Sequence, residues 1–303
     1  NYTTSTAWTD GKTDINVRQI LYVKDGERGI RQSDGVFQHM KLMPVMYEKL
    51  SEQIDFKDVK AVGVSTRPRC VEGSYMPVFL AGEGYAKVVA NTLGVTLYEF
   101  SHQDGHIMAG IYSSGSFELL EKDFISVHLS GGTTEILKSR YNGFNFDNEI
   151  VGGSKDISAG QFIDRVGVKM GLHFPAGKAL EQLALKTEKG EKLPIAADGA
   201  YMNFSGVETK ASRMAESEKC DKSALALGVL ENVRDTLVKT INKAMTDTNT
   251  HRVLIVGGVA SNGIIRNGLT KKLDGDVYFA KAEYSTDNAV GTAYLAHMAH
   301  KEA

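Results

Sequence analysis

The sequence predicts an α/β protein of two lobes, and three observations carry that prediction. Strand-like and helix-like segments alternate along the chain, as they do in layered α/β folds. An order of hairpin followed by α/β segments occurs twice, once from the start and once from Phe124. With 303 residues, 42% of them apolar, the chain can fill two hydrophobic cores of roughly 100–200 residues each. The expected division is an N-terminal lobe over 1–122 and a C-terminal, nucleotide-binding lobe over 123–303, with a cleft between them. The last helix is expected to return to the first lobe.

In the first lobe, the residues through Trp8 and residues 19–23 read as the two strands of a hairpin. Residues 38–50 place Met40, Met43, Val45, Met46 and Leu50 at helical spacing. A short apolar strand over 59–65 precedes a helix over 78–93 and another strand over 96–100. In the second lobe, strands over 124–129 and 134–137 flank the turn Ser130-Gly131-Gly132-Thr133. Helices follow at 159–170, 178–186 and 224–245. A buried strand over 252–256 stops at Gly257-Gly258 and gives way to a helix. A last strand over 277–279 and a last helix over 287–300 complete the reading.

Bulk properties exclude several classes. A formal charge of −2 offers no general attraction to nucleic acid, so an RNA substrate must meet a local patch or a partner subunit. Cys70 and Cys220 are too few and too far apart for a disulfide scaffold or a thiolate metal site, which points to a reducing, cytoplasmic setting. No apolar run approaches the ~20 residues that span a bilayer, and no signal-peptide pattern is seen.

Four segments carry candidate chemistry. In Ser101-His102-Gln103-Asp104-Gly105-His106, a helix capped by Ser101 projects both histidines from one face, where they can share a metal or form an idle surface pair. A zinc peptidase needs a glutamate directly after the first histidine; Gln103 stands there and cannot act as a base. In the run from His128 to Glu135, the Gly131-Gly132 turn leaves backbone N–H groups unshielded for phosphate or carboxylate oxygens, or is a plain hairpin turn. His128 shares a strand face with Ser126 and Phe124, as an inward ligand or a core histidine. The strand ending in Gly257-Gly258-Val259-Ala260-Ser261-Asn262 is the usual setting for a nucleotide, with Asn262 placed to bond a ribose or base. Asp287 stands where the last helix is expected to begin, as an N-cap or a ligand.

In this order, the segments resemble the O-sialoglycoprotein endopeptidase-like family, whose established members are tRNA threonylcarbamoyladenosine transferases (TsaD-like). The resemblance runs over nearly the whole chain. His102-x-x-x-His106 is similar to the family's paired metal histidines, and Leu129-Ser130-Gly131-Gly132 to its phosphate loop. The segment from Asp156 to Asp164, the run Phe174-Pro175-Ala176-Gly177-Lys178-Ala179-Leu180-Glu181 and the element Phe204-Ser205-Gly206 are also matched. Gly257 to Asn262 matches the nucleotide loop, and Thr286-Asp287-Asn288 contains the third metal ligand.

The resemblance implies an actin-like, sugar-kinase-like fold of two ribonuclease-H-like lobes. It implies transfer of a threonylcarbamoyl group from threonylcarbamoyl-AMP to adenine in tRNA. His102, His106 and Asp287 would hold one divalent metal, iron or zinc with magnesium as the alternative. His128, Leu129, Ser130, Gly131, Gly132, Asp164, Gly177, Glu181 and Asn262 would bind the nucleotide. The implied partners are tRNA, the other subunits of a threonylcarbamoylation complex, and a hetero- or homodimer mate, with no membrane.

The departures point to a diverged paralogue. The sequence starts one residue beyond the family's opening strand and turn: either it is trimmed there, or the first lobe lacks that strand and leaves a sheet edge exposed. Thr66-Arg67-Pro68-Arg69-Cys70-Val71-Glu72-Gly73-Ser74 replaces a Gly-Pro-Gly loop, and its arginines either meet a phosphate or RNA backbone or are solvated. Ser154 stands for a glutamate, Ala176 for a glycine, and His128 for a tyrosine or aliphatic residue. A third imidazole from His128 would favour zinc or iron. The alternatives are another carbamoyl transfer, a non-catalytic partner, a metallopeptidase or kinase chemistry on the same fold.

Overall fold

The computed structural model describes residues 2–23 and 30–303. The chain divides into two compact units. One comprises Asn1–Phe117, Tyr141–Asp147 and Thr286–Ala303; the other comprises Glu118–Arg140 and Asn148–Ser285.

The first unit opens with β1 (Thr3–Thr9) and β2 (Asp14–Ile20), an antiparallel pair that matches Thr3 with Ile20 and Thr9 with Asp14. The sequence reading started the second strand at residue 19, five residues late. The turn closes early because the Asp10 carboxylate accepts the backbone N–H groups of Lys12 and Thr13, both at 2.8 Å. Next comes α1 (Gln32–Ser51), which begins six residues before the expected helix. Its first turn is polar, so apolar periodicity could not reveal it. β3 (Ala61–Arg67), α2 (Phe79–Leu93), β4 (Thr96–Ser101) and α3 (His102–Ser114) follow, with β3 and β4 parallel. Gly94 ends α2 in the left-handed conformation that glycine adopts freely.

The second unit is built on a seven-stranded sheet. Its strands are β5 (Phe124–Leu129), β6 (Thr134–Tyr141), β7 (Phe146–Ser154), β8 (Ala197–Asp198), β9 (Tyr201–Met202), β10 (Arg252–Val256) and β11 (Asp276–Phe279), in the order β11-β10-β5-β6-β7-β9-β8. β5 runs antiparallel to β6 and parallel to β10. The helices are α4 (Ala159–Lys169), α5 (Gly177–Ala184), α6 (Ser205–Ala215), α7 (Lys222–Thr248) and α8 (Gly263–Lys272). The sequence reading lacked β7, β8, β9 and α6. β8 and β9 are two residues each, too short for any period, and β7 carries polar residues and a Gly-Gly pair. The core gathers Val127 and Leu129 of β5, Phe162 of α4, Phe204, and Leu230 and Val233 of α7, all fully buried. Each such side chain contributes roughly 1.5–3 kcal/mol.

The last element, α9 (Val290–Glu302), belongs to the first unit and packs on α3 and β3. Its contact with α3 is backbone to backbone. A Cβ on Gly291 would overlap the Gly105 carbonyl oxygen and stand 2.6 Å from the Ala109 nitrogen, so only glycine allows this approach. Among the described residues, no helix is long and apolar enough to cross a membrane.

Candidate metal centre and nucleotide cradle

In the first unit, α3 starts as the sequence reading required. Ser101 is its N-cap: the hydroxyl accepts the Asp104 N–H at 3.1 Å, and the Asp104 carboxylate accepts the Ser101 N–H at 2.9 Å. This reciprocal cap fixes the first helical turn, so His102 and His106 leave one face one turn apart. Asp104 is fully buried and also accepts the Ser101 hydroxyl and the Phe146 N–H. Burial pushes its carboxyl up against those hydrogen bonds. Replacing Asp104 with alanine strands three donors in the interior. Urea unfolding should show a loss of about 2–3 kcal/mol; a loss under 1 kcal/mol would show that water replaces the carboxylate.

Asp287 is not at a helix start, which corrects the sequence reading. α9 begins at Val290 with Ala289 as its cap position, and no side chain caps it. Asp287 instead lies in a bend ahead of α9, held on both sides. The Arg18 guanidinium donates to the Thr286 hydroxyl at 2.7 Å, and the Asn288 side chain accepts the Val290 N–H at 3.0 Å. The Tyr2 N–H donates to Asp287 Oδ2 at 3.2 Å.

The other carboxylate oxygen, Oδ1, lies 3.3 Å from Nε2 of His102 and 3.3 Å from Nε2 of His106. The two Nε2 atoms are 3.1 Å apart. Donors ~2.1 Å from a common ion at angles of about 95–110° stand roughly 3.1–3.4 Å apart, so the spacing suits a single ion. Burial, and then the neighbouring His106, push the His102 imidazole down to about 4, which keeps its lone pair free at neutral pH. Burial opposes charge on Asp287, yet hydrogen bonds from His102 and His106 hold its carboxyl well below the usual range. Two imidazoles and one carboxylate form a three-donor set of the kind that divalent transition metals take.

The second unit holds the glycine turns. Ser130 N–H donates to the Thr133 carbonyl at 2.9 Å, and the Ser130 hydroxyl accepts the Thr133 N–H at 3.0 Å. Gly131 and Gly132 are exposed, with open space where a Cβ would stand. The Ser158 hydroxyl, itself the cap of α4, donates to the Gly131 carbonyl at 2.8 Å and seats the turn on that helix. Gly257 has φ +105°, and a Cβ there would overlap the Leu129 carbonyl oxygen. The two glycine turns are therefore neighbours at the carboxyl ends of β5 and β10, where nucleotides bind in open α/β sheets.

Around them the remaining candidates hold one another. Asn262 caps α8, its side-chain oxygen accepting the Ile265 N–H at 3.1 Å. Glu181 of α5 accepts the Gly263 N–H at 2.6 Å. Asp164 accepts the Ala176 N–H at 2.8 Å at the start of α5; burial pushes its carboxyl up against that bond and one from Gly177. Leu129 is fully buried, so only its backbone is available to a ligand. His128 lies opposite Glu135 on β6. Asp156 has a scaffolding role: it accepts the Phe204 and Ser205 N–H groups at 2.8 and 2.9 Å, joining two of the segments matched in sequence. Cys70 and Cys220 are both free.

Sequence reasoning did not find Asp104, Arg18 or Gly291. A Ser-x-x-Asp spacing ahead of an apolar run signals the first. Nothing local signals the other two, whose partners lie far along the chain.

Among known proteins, the model of the TsaD family, tRNA N6-adenosine threonylcarbamoyltransferase, matches residues 28–294. A tRNA N6-adenosine threonylcarbamoyltransferase of Thermus thermophilus is 29% identical over 303 residues, covering 96% of this chain and 88% of that protein. The enzyme of the same name from Christiangramia forsetii is 29% identical over 266 residues, covering 82% and 75%. Among solved structures, HypF of T. kodakarensis superposes with a TM-score of 0.60 at 14% identity, over 88% of this chain and 44% of that one. A 2-hydroxyisocaproyl-CoA dehydratase activator from Clostridium difficile superposes at 0.56 with 14% identity, over 99% and 94%. A ROK family glucokinase from Streptomyces griseus superposes at 0.53 with 10% identity, over 99% of each chain. The fold is thus the expected actin-like, sugar-kinase-like one.

Proposed function

Because the chain belongs to the TsaD family of tRNA N6-adenosine threonylcarbamoyltransferases, a family of transferases, we propose that it moves a threonylcarbamoyl group from threonylcarbamoyl-AMP to adenine in tRNA. The observation that carries the reading is the convergence of His102, His106 and Asp287 on one point from segments far apart in the sequence. A scaffold has no need of that donor set.

In the reaction the exocyclic amine nitrogen bonds to the carbamoyl carbon, and the bond from that carbon to the phosphate oxygen breaks. AMP leaves with the electron pair, and the amine gives up a proton. An aryl amine is a weak nucleophile, so the carbonyl must be polarised. The His102 and His106 imidazoles and the Asp287 carboxylate would hold iron or zinc, with magnesium as the alternative, and the bound ion would supply that Lewis-acid chemistry. Ser130, Gly131 and Gly132 offer N–H groups to the phosphate, while Asp164, Gly177, Glu181 and Asn262 orient the nucleoside. This gives the C-terminal lobe over 123–303 the nucleotide and the N-terminal lobe over 1–122, joined by Asp287, the ion. With its near-neutral charge, the chain leaves most of the RNA affinity to a local patch, to other subunits of a threonylcarbamoylation complex or to a dimer mate in the cytoplasm.

The test is incorporation of labelled threonine from threonylcarbamoyl-AMP into unmodified tRNA, with partner subunits supplied. Transfer by the wild type is expected. Gly132→Val, which enters open space, should fold normally while weakening AMP binding roughly 10-fold by shielding the turn. Metal and AMP bound without any transfer would overturn the reading.

A second reading, carbamoyl transfer to a different amine, is favoured by the loop after β3. At the end of β3 Arg67 donates to the Thr66 hydroxyl at 3.1 Å, and in the loop the Arg69 N–H donates to the Ser74 hydroxyl at 3.0 Å, so a bulky, cationic segment stands where the family has glycines. A panel of amine acceptors in the same assay separates the two.

A further inference from the structure

A cavity of about 110 Å³ lies in the first unit, beside the candidate metal centre. Its walls come from three separate segments: Tyr2 ahead of β1, Ile30, Arg31 and Gln32 at the entry to α1, and Met76 and Val78 ahead of α2. Two of these walls adjoin metal ligands. The Tyr2 N–H donates to Asp287 Oδ2 at 3.2 Å. Val78 precedes Phe79, whose ring stands edge-on to the His102 imidazole with 5.6 Å between centroids. The Val78 N–H donates to Gln32 Oε1 at 3.3 Å and so joins the α1 wall to the α2 wall.

The size bounds what fits. Drug-sized ligands fill pockets of roughly 300–1,000 Å³, whereas this space is worth about four water molecules at ~30 Å³ each. It suits one short branched group and not a nucleotide. The walls also have two characters. Ile30, Met76 and Val78 are apolar, while Arg31 is the one charged residue among the described residues that line the cavity. A small group with a methyl on one side and a carboxylate on the other matches that division. A guanidinium pairs with a carboxylate through two parallel N–H bonds, which a neutral amide cannot reproduce.

We propose, resting on the transfer reaction above, that this cavity holds the amino-acid end of the transferred group. The threonyl carboxylate lies on Arg31, and the threonyl methyl lies against Ile30, Met76 and Val78. In the donor, the threonyl nitrogen and the phosphate oxygen are separate substituents of the carbamoyl carbon. Holding the one therefore does not occupy the site of the other. With the carbonyl at His102 and Asp287, the adjoining cavity receives the threonyl side.

The experiment measures binding by calorimetry on the full chain with zinc supplied. The probes are threonylcarbamoyl-AMP, its threoninamide analogue, its serylcarbamoyl analogue and AMP. In the wild type the amide should bind about 10-fold more weakly than the acid, for loss of one charge-assisted pair. The seryl analogue, which lacks the methyl, should also lose about 10-fold. Arg31→Gln should bind the acid at least 10-fold more weakly and no longer prefer it over the amide. Its affinity for AMP should equal that of the wild type, which also shows that the variant is folded. Arg31→Lys keeps a cation and should recover part of the preference. Transfer to tRNA is assayed alongside, so that the subsite and the reaction are judged separately. An Arg31-dependent preference for the acid in a chain that transfers nothing would support the subsite and count against the reaction. Arg31→Gln matching the wild type on every probe, with transfer intact, would overturn the subsite alone. A wild type that binds no threonylcarbamoyl-AMP would overturn both.

Discussion

His106→Ala is expected to abolish stoichiometric metal binding and, with it, transfer. His106 is one of three donors and is 7% exposed, so no flexible neighbour can swing in to replace its imidazole. Substitution of groups that merely support a metal ligand costs ~10–100-fold in affinity, and loss of a ligand should exceed that. The remaining pair, His102 and Asp287, still lie 3.3 Å apart and bond each other, so the fold survives while the donor set falls to two. His173→Ala, an exposed site in the second unit, is the matching control and should retain the metal. Metal content per chain, measured on purified wild type and both variants, decides the matter. Equal metal in wild type and His106→Ala would remove the centre from the argument altogether.

Gly291→Ala should produce the largest loss of stability, about 3 kcal/mol or more, at or above the top of the usual range for overpacking. Here the added methyl meets backbone rather than a side chain that can rotate away: the Gly105 carbonyl on one side and the Ala109 nitrogen, 2.6 Å off, on the other. Relief requires α9 to move away from α3. Gly105 lies between His102 and His106, and Asp287 precedes α9, so that movement pulls the third donor away from the other two. Chemical unfolding and metal affinity should therefore worsen together. Gly84→Ala in α2 is the contrast, since open space surrounds it; there the helix should gain roughly 0.5–1 kcal/mol. If Gly291→Ala behaved like Gly84→Ala, the close helix contact would not be setting the geometry of the centre.

What the sequence disclosed depended on whether a feature was local. The Ser101 cap and the one-turn spacing of His102 and His106 are written in six consecutive residues, and the structure has both. The strand Arg252–Val256 was readable to the residue because four apolar side chains end at a Gly-Gly pair. The start of α1 was not, because Gln32, Ser33 and Asp34 are polar and expose no apolar stripe. β8 and β9 carry no period at two residues each. Asp287 was selected as a ligand through the family resemblance, while its own surroundings suggested a helix cap. The bonds that fix it, from Tyr2 and through Arg18 to Thr286, span the length of the chain. Contacts of that kind have no signature in a local window.

The placement of Asp287 also bears on how the molecule is made. The first unit begins ahead of the second along the chain, yet it is finished after it, by Thr286–Ala303. Until Asp287 and α9 have been made, α3 lacks the helix that covers Gly105, and the two histidines lack their carboxylate. A nascent chain halted anywhere in the second unit therefore carries an incomplete ion site and a bare helix face, both open to quality control. Assembly of the centre waits on synthesis of the whole second unit.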